Sequence, residues 1–419
     1  GLISVLNDGE GIEVKKMDTD KKKDIYVIEL IFGELLTSEN YKGKGEKKLT
    51  GGKNGYGAKL TNIFSKTFTV ESVDRKKKLL YSQTWKDNMR VKEIPIITKY
   101  DGEPYTKITF LPDYERFSQN GLTEDMYSIF AKRVYDCALW FSGNMKIELK
   151  TPLKTKDVSP VNVYFNGEEI ECSLLNYISK YTNNELEEKD ILIETFNRWE
   201  VGIVLSKNHK YMQNSLVNGI STTRGGRHVD NILNQMLKKL IDVAATKKKK
   251  IEIKGSYLKE NIWLFVKCII EEPVFDGQTK EYMTTNIQNF GSKCEITDKF
   301  IDKLLKMGLM ERIINSIEME NNKLGKKTDG TKRGSIRGIK KLDDANLAGT
   351  SQSDKCTLIL TEGDSAKASA VCGLAVVGRD HYGVFPLKGK ILNVRDQTEK
   401  RIYENEEISN LKKIIGLES

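Results

Sequence analysis

Three strings in this chain of 419 residues hold side chains and backbone able to do chemistry. The first is Thr50-Gly51-Gly52-Lys53-Asn54-Gly55-Tyr56-Gly57-Ala58-Lys59, with four glycines in the seven positions 51–57. Such a run leaves backbone N–H groups unshielded and free to adopt positive φ. The apolar Leu60, Ile63 and Phe64 that follow read as a helix, and a helix N-terminus adds partial positive charge. The combination suits a phosphate cradle. A smaller glycine feature, Asn7-Asp8-Gly9-Glu10-Gly11-Ile12, stands about 40 residues earlier at the end of a strand. Neither is a Walker loop, because Lys59 is followed by Leu60, and neither is a dinucleotide fingerprint, because the third glycine is missing. On spacing alone, a phosphate cradle and an ordinary glycine-rich loop stand level.

The second string, Phe275-Asp276-Gly277-Gln278-Thr279-Lys280, is a turn after a buried strand. A lysine there is ordinarily a solvated charge, yet Pro273 and Gly277 give the turn a shape that can hold Lys280 in place. The third, Leu358-Ile359-Leu360-Thr361-Glu362-Gly363-Asp364-Ser365-Ala366-Lys367, runs strand, carboxylate, tight turn, helix. Glu362 falls at the C-terminal end of a strand, where α/β sheets hold their ligands. Asp364 or Ser365 can cap the helix 366–377, but no cap requires Glu362. Lys247 to Lys250 form a basic run, ordinarily solvated surface. Only three histidines occur (209, 228, 381), and His228, with no Ser or Asp partner in view, reads as a structural imidazole.

These strings need elements to position them. Strands are expected at 2–7, 67–73, 106–111 and 161–165, the last ending in the turn Asn166-Gly167. A helix is expected over 124–140 and another over 231–244, with Asp230 as N-cap. The polar stretch 142–160 reads as a long loop. Residues 261–270 read as a buried strand closed by Glu272-Pro273, 298–318 as helical, 321–341 as a Lys/Gly/Asn-rich linker, and 356–361 as a strand. At ~150 residues per domain the length suits two to four domains. Hydrophobic residues make up 38% and charged ones 30%, with only 7 prolines, which excludes a broadly disordered chain. The run Ile262 to Val266 is too short to cross a membrane. Six cysteines without a C-x-x-C pair point to reduced thiols, and away from a zinc site or disulfide framework. The net charge of +9 permits nucleic acid without implying it. Gly1 to Leu6 already read as a strand, so the chain is expected to begin inside a domain.

The Asn-x-Gly-x-Gly string followed by a glycine-rich lid resembles the GHKL ATPases: type II topoisomerases, mismatch-repair clamps, heat-shock chaperones and histidine kinases. Leu35 to Tyr41 and Gly51 to Ser65 look like the eukaryotic type II DNA topoisomerase ATPase domain in particular. That resemblance implies that Asn7, beside Asp8, contacts adenine. Ser38 and Asn40 would meet the ribose or phosphate side, and Gly52, Lys53, Asn54, Gly55, Tyr56, Gly57, Ala58 and Lys59 the triphosphate. Glu39 departs from the family's usual Ser. The string Glu272 to Glu281 resembles the topoisomerase transducer loop, which implies nucleotide contacts for Gln278 and Thr279 and a catalytic γ-phosphate contact for Lys280. Thr223 to Asp230 matches the same domain, and the family's basic patch there implies DNA contacts for Lys247, Lys248 and Lys249. Glu362 to Ala366 is similar to the TOPRIM signature, with Gly373 to Asp380 and Pro386 to Arg395 as matching neighbours. Glu362 would then hold Mg²⁺ as a catalytic residue, and Lys390 and Asn393 would touch the DNA backbone.

The resemblance implies an α/β (α+β) chain: a GHKL (Bergerat) ATPase sandwich over 1–172, a ribosomal-S5-like transducer over 173–307, a connecting helix and linker over 308–355, and the start of a Rossmann-like TOPRIM domain over 356–419. It implies an ATP-dependent, Mg²⁺-using type II DNA topoisomerase of eukaryotic or viral type. Such an enzyme passes one duplex through a transient double-strand break in another and works as a homodimer on double-stranded DNA. It would act in the nucleus or a viral replication compartment, with no membrane involvement. The family's general-base Glu and magnesium-binding Asn would precede Gly1, and its Asp-x-Asp ligands and nucleophilic Tyr would follow Ser419. Residues 1–419 alone are therefore expected not to turn over ATP. The alternatives are an ATP-gated repair clamp or chaperone on the same fold, against which Glu362 to Ala366 argues, and a non-catalytic remnant.

Overall fold

Alternating burial along two long strands organises the N-terminal part of the chain. The computed structural model describes residues 1–18, 24–35, 37, 49–52, 54–142, 161–246, 252–328, 336 and 338–417. They divide into two compact units. One comprises Gly1–Ile203, Gln213–Asn231 and Leu264–Glu295; the other comprises Val204–Met212, Ile232–Trp263 and Ile296–Ser419.

In the first unit, Ser65–Asp74 and Leu79–Lys86 form an antiparallel pair in which Phe68 faces Trp85 and Val70 faces Gln83. The strand Thr106–Pro112 lies on the other side of Ser65–Asp74, and Ile3–Asn7 pairs with it at the edge. Short strands Val91–Lys92 and Ile96–Lys99 complete six. Every second side chain on one face is apolar, so that face must be covered. The helix Val27–Gly33 supplies Ile28 and Phe32 to a core with Phe68, Val70, Tyr81 and Trp85. The expected strands at 2–7, 67–73 and 106–111 are present to within two residues at either end. The expected strand at 161–165 is only Tyr164–Phe165, a hairpin with Glu168–Glu169 across Asn166-Gly167, whose φ values are both positive.

The same unit holds most of a five-stranded sheet in the order Ile191–Phe196, Trp199–Leu205, Ile262–Cys268, Met212–Val217, Ile220–Ser221. Its strands Trp199–Leu205 and Ile262–Cys268 are buried nearly throughout, which fits the apolar run Ile262 to Val266. Two charges are buried with them. Lys267 and Glu200 are each about 2% exposed or less and lie 3.6 Å apart. The Lys267 ammonium also donates to the Ser142 carbonyl oxygen at 2.8 Å, at the end of the helix Glu124–Phe141. Burial pushes the Glu200 carboxyl up and the Lys267 ammonium down, and their mutual attraction opposes both shifts. The stretch 143–160 lies outside the described residues.

In the second unit, most of the helix Arg227–Thr246 buries Ile232, Leu233, Met236 and Leu240. It begins three residues before Asp230, so Asp230 sits in its first turn and is not its cap. Helical periodicity over 298–318 resolves into Asp298–Lys306 and Leu309–Thr328, broken where Gly308 takes φ +92°. The second helix continues to Thr328, so the expected linker at 321–341 is helical in its first part. Downstream, Thr357–Thr361 pairs in parallel with Tyr382–Pro386, and the helix Asp364–Val377 makes the crossover. Gly363 occupies the cap position with no side-chain cap bond. Asp364 pairs with Lys341, and this ion pair replaces the expected cap.

Removing one member of the buried pair strands the other. Lys267→Met should cost about 3–5 kcal/mol in urea unfolding, while the double change Glu200→Leu/Lys267→Met should recover most of that loss. Equal losses in the two proteins would mean that packing, not uncompensated charge, sets the cost.

Candidate functional site

Asn7 closes the strand Ile3–Asn7, opposite Thr106, and its Oδ1 accepts the Gly9 N–H at 3.3 Å. Asp8 follows, exposed. Gly11 has φ +72°, and a Cβ there would stand 1.7 Å from the Val73 carbonyl oxygen, so only glycine fits. The chain after it is tied down by Ser72 Oγ, which accepts from Ile12 N at 3.0 Å, and by Asp74 Oδ2, which accepts from Val14 N at 2.8 Å. Burial pushes the Asp74 carboxyl up, but the N–H groups of Val14, Lys77 and Lys76, with the Lys77 charge, bring it below its ordinary value. The loop bearing Asn7 and Asp8 is therefore pinned at both ends.

The glycine-rich loop is anchored at its base and open at its middle. A Cβ on Gly51 would meet Ile220 Cδ1 at 2.1 Å, beside the hairpin turn Asn218-Gly219. Gly52 and Gly57 have nothing within 4 Å of where a Cβ would stand. Gly55 takes φ +65°, Tyr56 precedes the helix Gly57–Ile63, and Ala58 lies in its first turn. Lys59 behaves unlike a surface phosphate ligand. It is 1% exposed, and its ammonium donates to the Thr37 carbonyl oxygen at 2.8 Å and to Thr37 Oγ1 at 2.6 Å. Burial holds its pKa below that of an ordinary lysine. Thr37 in turn donates to Glu34 O and Leu30 O, at the end of the helix Val27–Gly33. Sequence reasoning missed this anchoring role, because a lysine after a glycine run reads as a surface charge. Ser38, Asn40 and Lys53 lie outside the described residues.

The turn carrying Lys280 belongs to the same unit. Asn54 Nδ2 donates to Gln278 Oε1 at 3.5 Å, joining loops 224 positions apart in sequence. Around Thr279, the Asp276 N–H donates to Tyr282 O at 3.1 Å and the Lys280 N–H to Gly277 O at 3.2 Å. Lys280 itself takes φ +59°, uncommon for a residue with a side chain. It is half-buried, and desolvation lowers its pKa. A partly desolvated ammonium on a tight turn, next to a glycine-rich loop with open space at Gly52 and Gly57, is chemically suited to an anionic ligand. The glycine cradle and Lys280 thus fit a nucleotide triphosphate.

The remaining candidates stand apart in sequence and lie in the second unit. Glu362 is exposed immediately after the strand Thr357–Thr361. Among neighbouring acidic residues, Asp364 pairs with Lys341, and Asp343 with Lys367 at 2.9 Å. Among the described residues no group of three or more His, Cys, Asp or Glu is placed to hold a metal ion. Glu362 thus offers one hard, anionic oxygen ligand, of the kind magnesium takes alongside waters and phosphates. Lys390 is exposed after Gly389, and Asn393 Oδ1 accepts the Arg395 N–H at 3.1 Å. Lys247, Lys248 and Lys249 lie outside the described residues.

A pinned strand-end loop, an open glycine-rich loop and a lysine turn beside a second sheet define a nucleotide-binding GHKL-type region. Comparison with known proteins agrees. The DNA gyrase B family model matches residues 169–331. Over its whole length the chain is 44% identical to mouse (Mus musculus) DNA topoisomerase 2-beta, covering 25% of that protein. It is 46% identical to human (Homo sapiens) DNA topoisomerase 2-alpha, again over all of the chain and covering 26% of that protein. The chain therefore spans about a quarter of the length of these curated relatives. Among solved structures, the ATPase region of Saccharomyces cerevisiae topoisomerase II superposes with a TM-score of 0.64 at 40% identity, over 75% of this chain and 76% of that one. The ATPase and transducer domains of Balamuthia mandrillaris topoisomerase II give 0.66 at 37% identity, over 76% and 77%. The chain belongs to the eukaryotic type II DNA topoisomerase family and corresponds to its ATPase and transducer region.

His228, near the start of the helix Arg227–Thr246, is wholly buried, with Nε2 3.4 Å from Thr222 Oγ1. Burial lowers its pKa to about 3, so it stays neutral in the folded protein and is unsuited to proton transfer near neutral pH. The unfolded chain takes up a proton as pH falls below the ordinary value of 6.5, while the folded one does not. Stability is therefore complete above that value and lost on acidification. Between pH 7 and 5 this residue should cost about 2 kcal/mol of unfolding free energy, and His228→Leu should remove that part of the pH slope. Identical slopes in the two proteins would contradict neutral burial.

Proposed function

We propose that this chain is the ATP-binding part of an ATP-dependent type II DNA topoisomerase that passes one duplex through a transient break in another. The observation that carries this reading is the contact between Asn54 of the glycine-rich loop and Gln278 of the lysine turn, which brings two separate phosphate-seeking features into one site. In this reading Asn7 and Asp8 face the adenine side, with Ser38 and Asn40 toward ribose or phosphate. The loop from Gly52 to Lys59 meets the triphosphate mainly through backbone N–H groups, and Lys59 contributes that way while its side chain holds Thr37. Gln278 and Thr279 complete the wall. The Lys280 ammonium neutralises charge that accumulates on the γ-phosphoryl oxygens as the bond to the leaving group stretches.

The units of function we assign are 1–172 for nucleotide binding, 173–307 for the transducer, 308–355 as connector and 356–419 as the beginning of a TOPRIM domain. Glu362 would supply one carboxylate to Mg²⁺, a metal that stabilises the oxygens of the cleaved strand when bound. Lys390, Asn393 and the run Lys247, Lys248 and Lys249 would contact duplex phosphates as donors and point charges. A homodimer acting on double-stranded DNA in the nucleus is the corresponding assembly. A repair clamp or chaperone on the same ATPase fold would not account for the exposed Glu362 between a parallel strand and its crossover helix.

Two substitutions test this in the full-length protein. Lys280→Ala should lower the preference for a non-hydrolysable triphosphate over the diphosphate by roughly tenfold or more, the size of a charge-assisted hydrogen bond, with diphosphate affinity unchanged. An unaltered preference would remove Lys280 from the γ-phosphate. Glu362→Gln should abolish double-strand cleavage across a Mg²⁺ titration yet leave nucleotide affinity alone, and near-normal cleavage at low Mg²⁺ would reduce Glu362 to a turn residue.

A further inference from the structure

The lysine turn is braced by a segment to which no role in nucleotide chemistry has been given above. Gly225–Gly226 runs parallel to Tyr282–Met283, with Gly225 opposite Tyr282 and Gly226 opposite Met283. Just before it, the Arg224 N–H donates to Glu281 O at 2.9 Å. The Arg224 guanidinium reaches around to Asp276 Oδ2 at 3.0 Å, on the opposite limb of the turn. Tyr282 OH donates to Asp230 Oδ2 at 3.2 Å. Arg224 thus grips both limbs: the one leaving Lys280 through its backbone, and the one entering through its side chain.

The two glycines make that grip possible. Gly226 has φ +147°, and a Cβ there would stand 2.5 Å from Met283 O and 2.6 Å from Met283 N. Gly225 has φ +78°. Any larger residue at 226 must push the strand Tyr282–Met283 away, and with it the turn two residues upstream. Lys280 pays a conformational cost for φ +59°, and a residue in that region keeps its place only where the surroundings over-determine it. The surroundings here are the bonds between the two limbs, Asp276 N–H to Tyr282 O and Thr284 N–H to Val274 O, and outside them the Arg224 grip and the glycine ladder.

We infer that Arg224 and Gly226 are positioning residues for Lys280: the segment Arg224–Gly226 holds the turn so that the ammonium, and not a flexible tether, faces the γ-phosphate. This rests on the reading of Lys280 given above. It assigns to this segment a share of the discrimination between triphosphate and diphosphate, with no contact to nucleotide of its own.

The experiment is a double-mutant cycle in the full-length protein, reading the ratio of diphosphate to non-hydrolysable triphosphate dissociation constants. Arg224→Ala should lower that preference by roughly two- to fivefold, as expected for an exposed ion pair, while diphosphate affinity and the thermal midpoint stay unchanged. Gly226→Ala should lower it to the level of Lys280→Ala. On a Lys280→Ala background neither change should lower it further, because a positioning residue has nothing left to position. Exchanging the charges, Arg224→Asp with Asp276→Arg, should restore part of what Arg224→Ala loses. Should Gly226→Ala fail to fold, Arg224→Ala and the exchanged pair, all on exposed side chains, carry the test. Losses that simply add to that of Lys280→Ala, or an unchanged preference in Arg224→Ala and Gly226→Ala alike, would overturn the inference. No effect of Lys280→Ala itself would overturn the γ-phosphate reading and this inference with it.

Discussion

The approach of Gly226 to the backbone of Met283, close enough that a Cβ would overlap it at 2.5 Å, is the constraint on which the candidate site depends. That contact sets Met283 and Tyr282 against Gly225–Gly226, next to the turn that carries Lys280. The turn bearing Lys280 has a residue in the left-handed region, and its two limbs bond each other through Asp276 N–H to Tyr282 O and Thr284 N–H to Val274 O. A parallel ladder two residues long contributes little alone, but it fixes one limb while the Arg224 ion pair fixes the other. The nearby glycine-rich loop then meets a turn already in place, and Asn54 can reach Gln278.

Charge is handled differently in the two halves of this unit. At the turn 275–280, the Lys280 ammonium is only partly desolvated. Two other lysines, one of them at the end of the glycine-rich loop, are committed to structure. Lys59 is spent on Thr37, and so ties the glycine-rich helix to the end of the helix Val27–Gly33. Lys267 lies between Glu200 and Ser142 in the five-stranded sheet, joining that sheet to the end of the helix Glu124–Phe141. A buried pair of this kind adds little net stability over an apolar pair, but breaking it is costly. Such pairs therefore favour one arrangement of the elements that supply them.

The second unit shows a simpler physical logic. Thr357–Thr361 and Tyr382–Pro386 run parallel, so their connection must cross over, and the helix Asp364–Val377 does so. Glu362 is left at the strand's C-terminal end, where α/β sheets usually hold ligands. Its neighbours Asp343 and Asp364 are neutralised by Lys367 and Lys341. Glu362 is thereby distinguished from the other acidic residues around it.

Local pattern was enough to identify much of this protein. The alternation in 67–73, the helical spacing in 124–140 and the strand–turn–helix at 358–367 are short-range regularities, each with one reading once burial is assumed. The four glycines at 51–57 and the turn at 275–280 could be marked as candidates because glycine and proline announce unusual backbone. Where a charge goes could not be read this way. Lys59 and Lys280 follow similar turns in sequence, yet one ammonium is buried against Thr37 and the other stays half-exposed, and only the packing of distant segments separates them. The same holds for Asp230, which looked like a cap and instead bonds Tyr282. It holds too for Gly226, whose neighbour Met283 is far along the chain. Sequence determined the elements and the residue types of the site. Tertiary structure decided which side chains are available in it, because availability depends on desolvation and on partners remote in sequence.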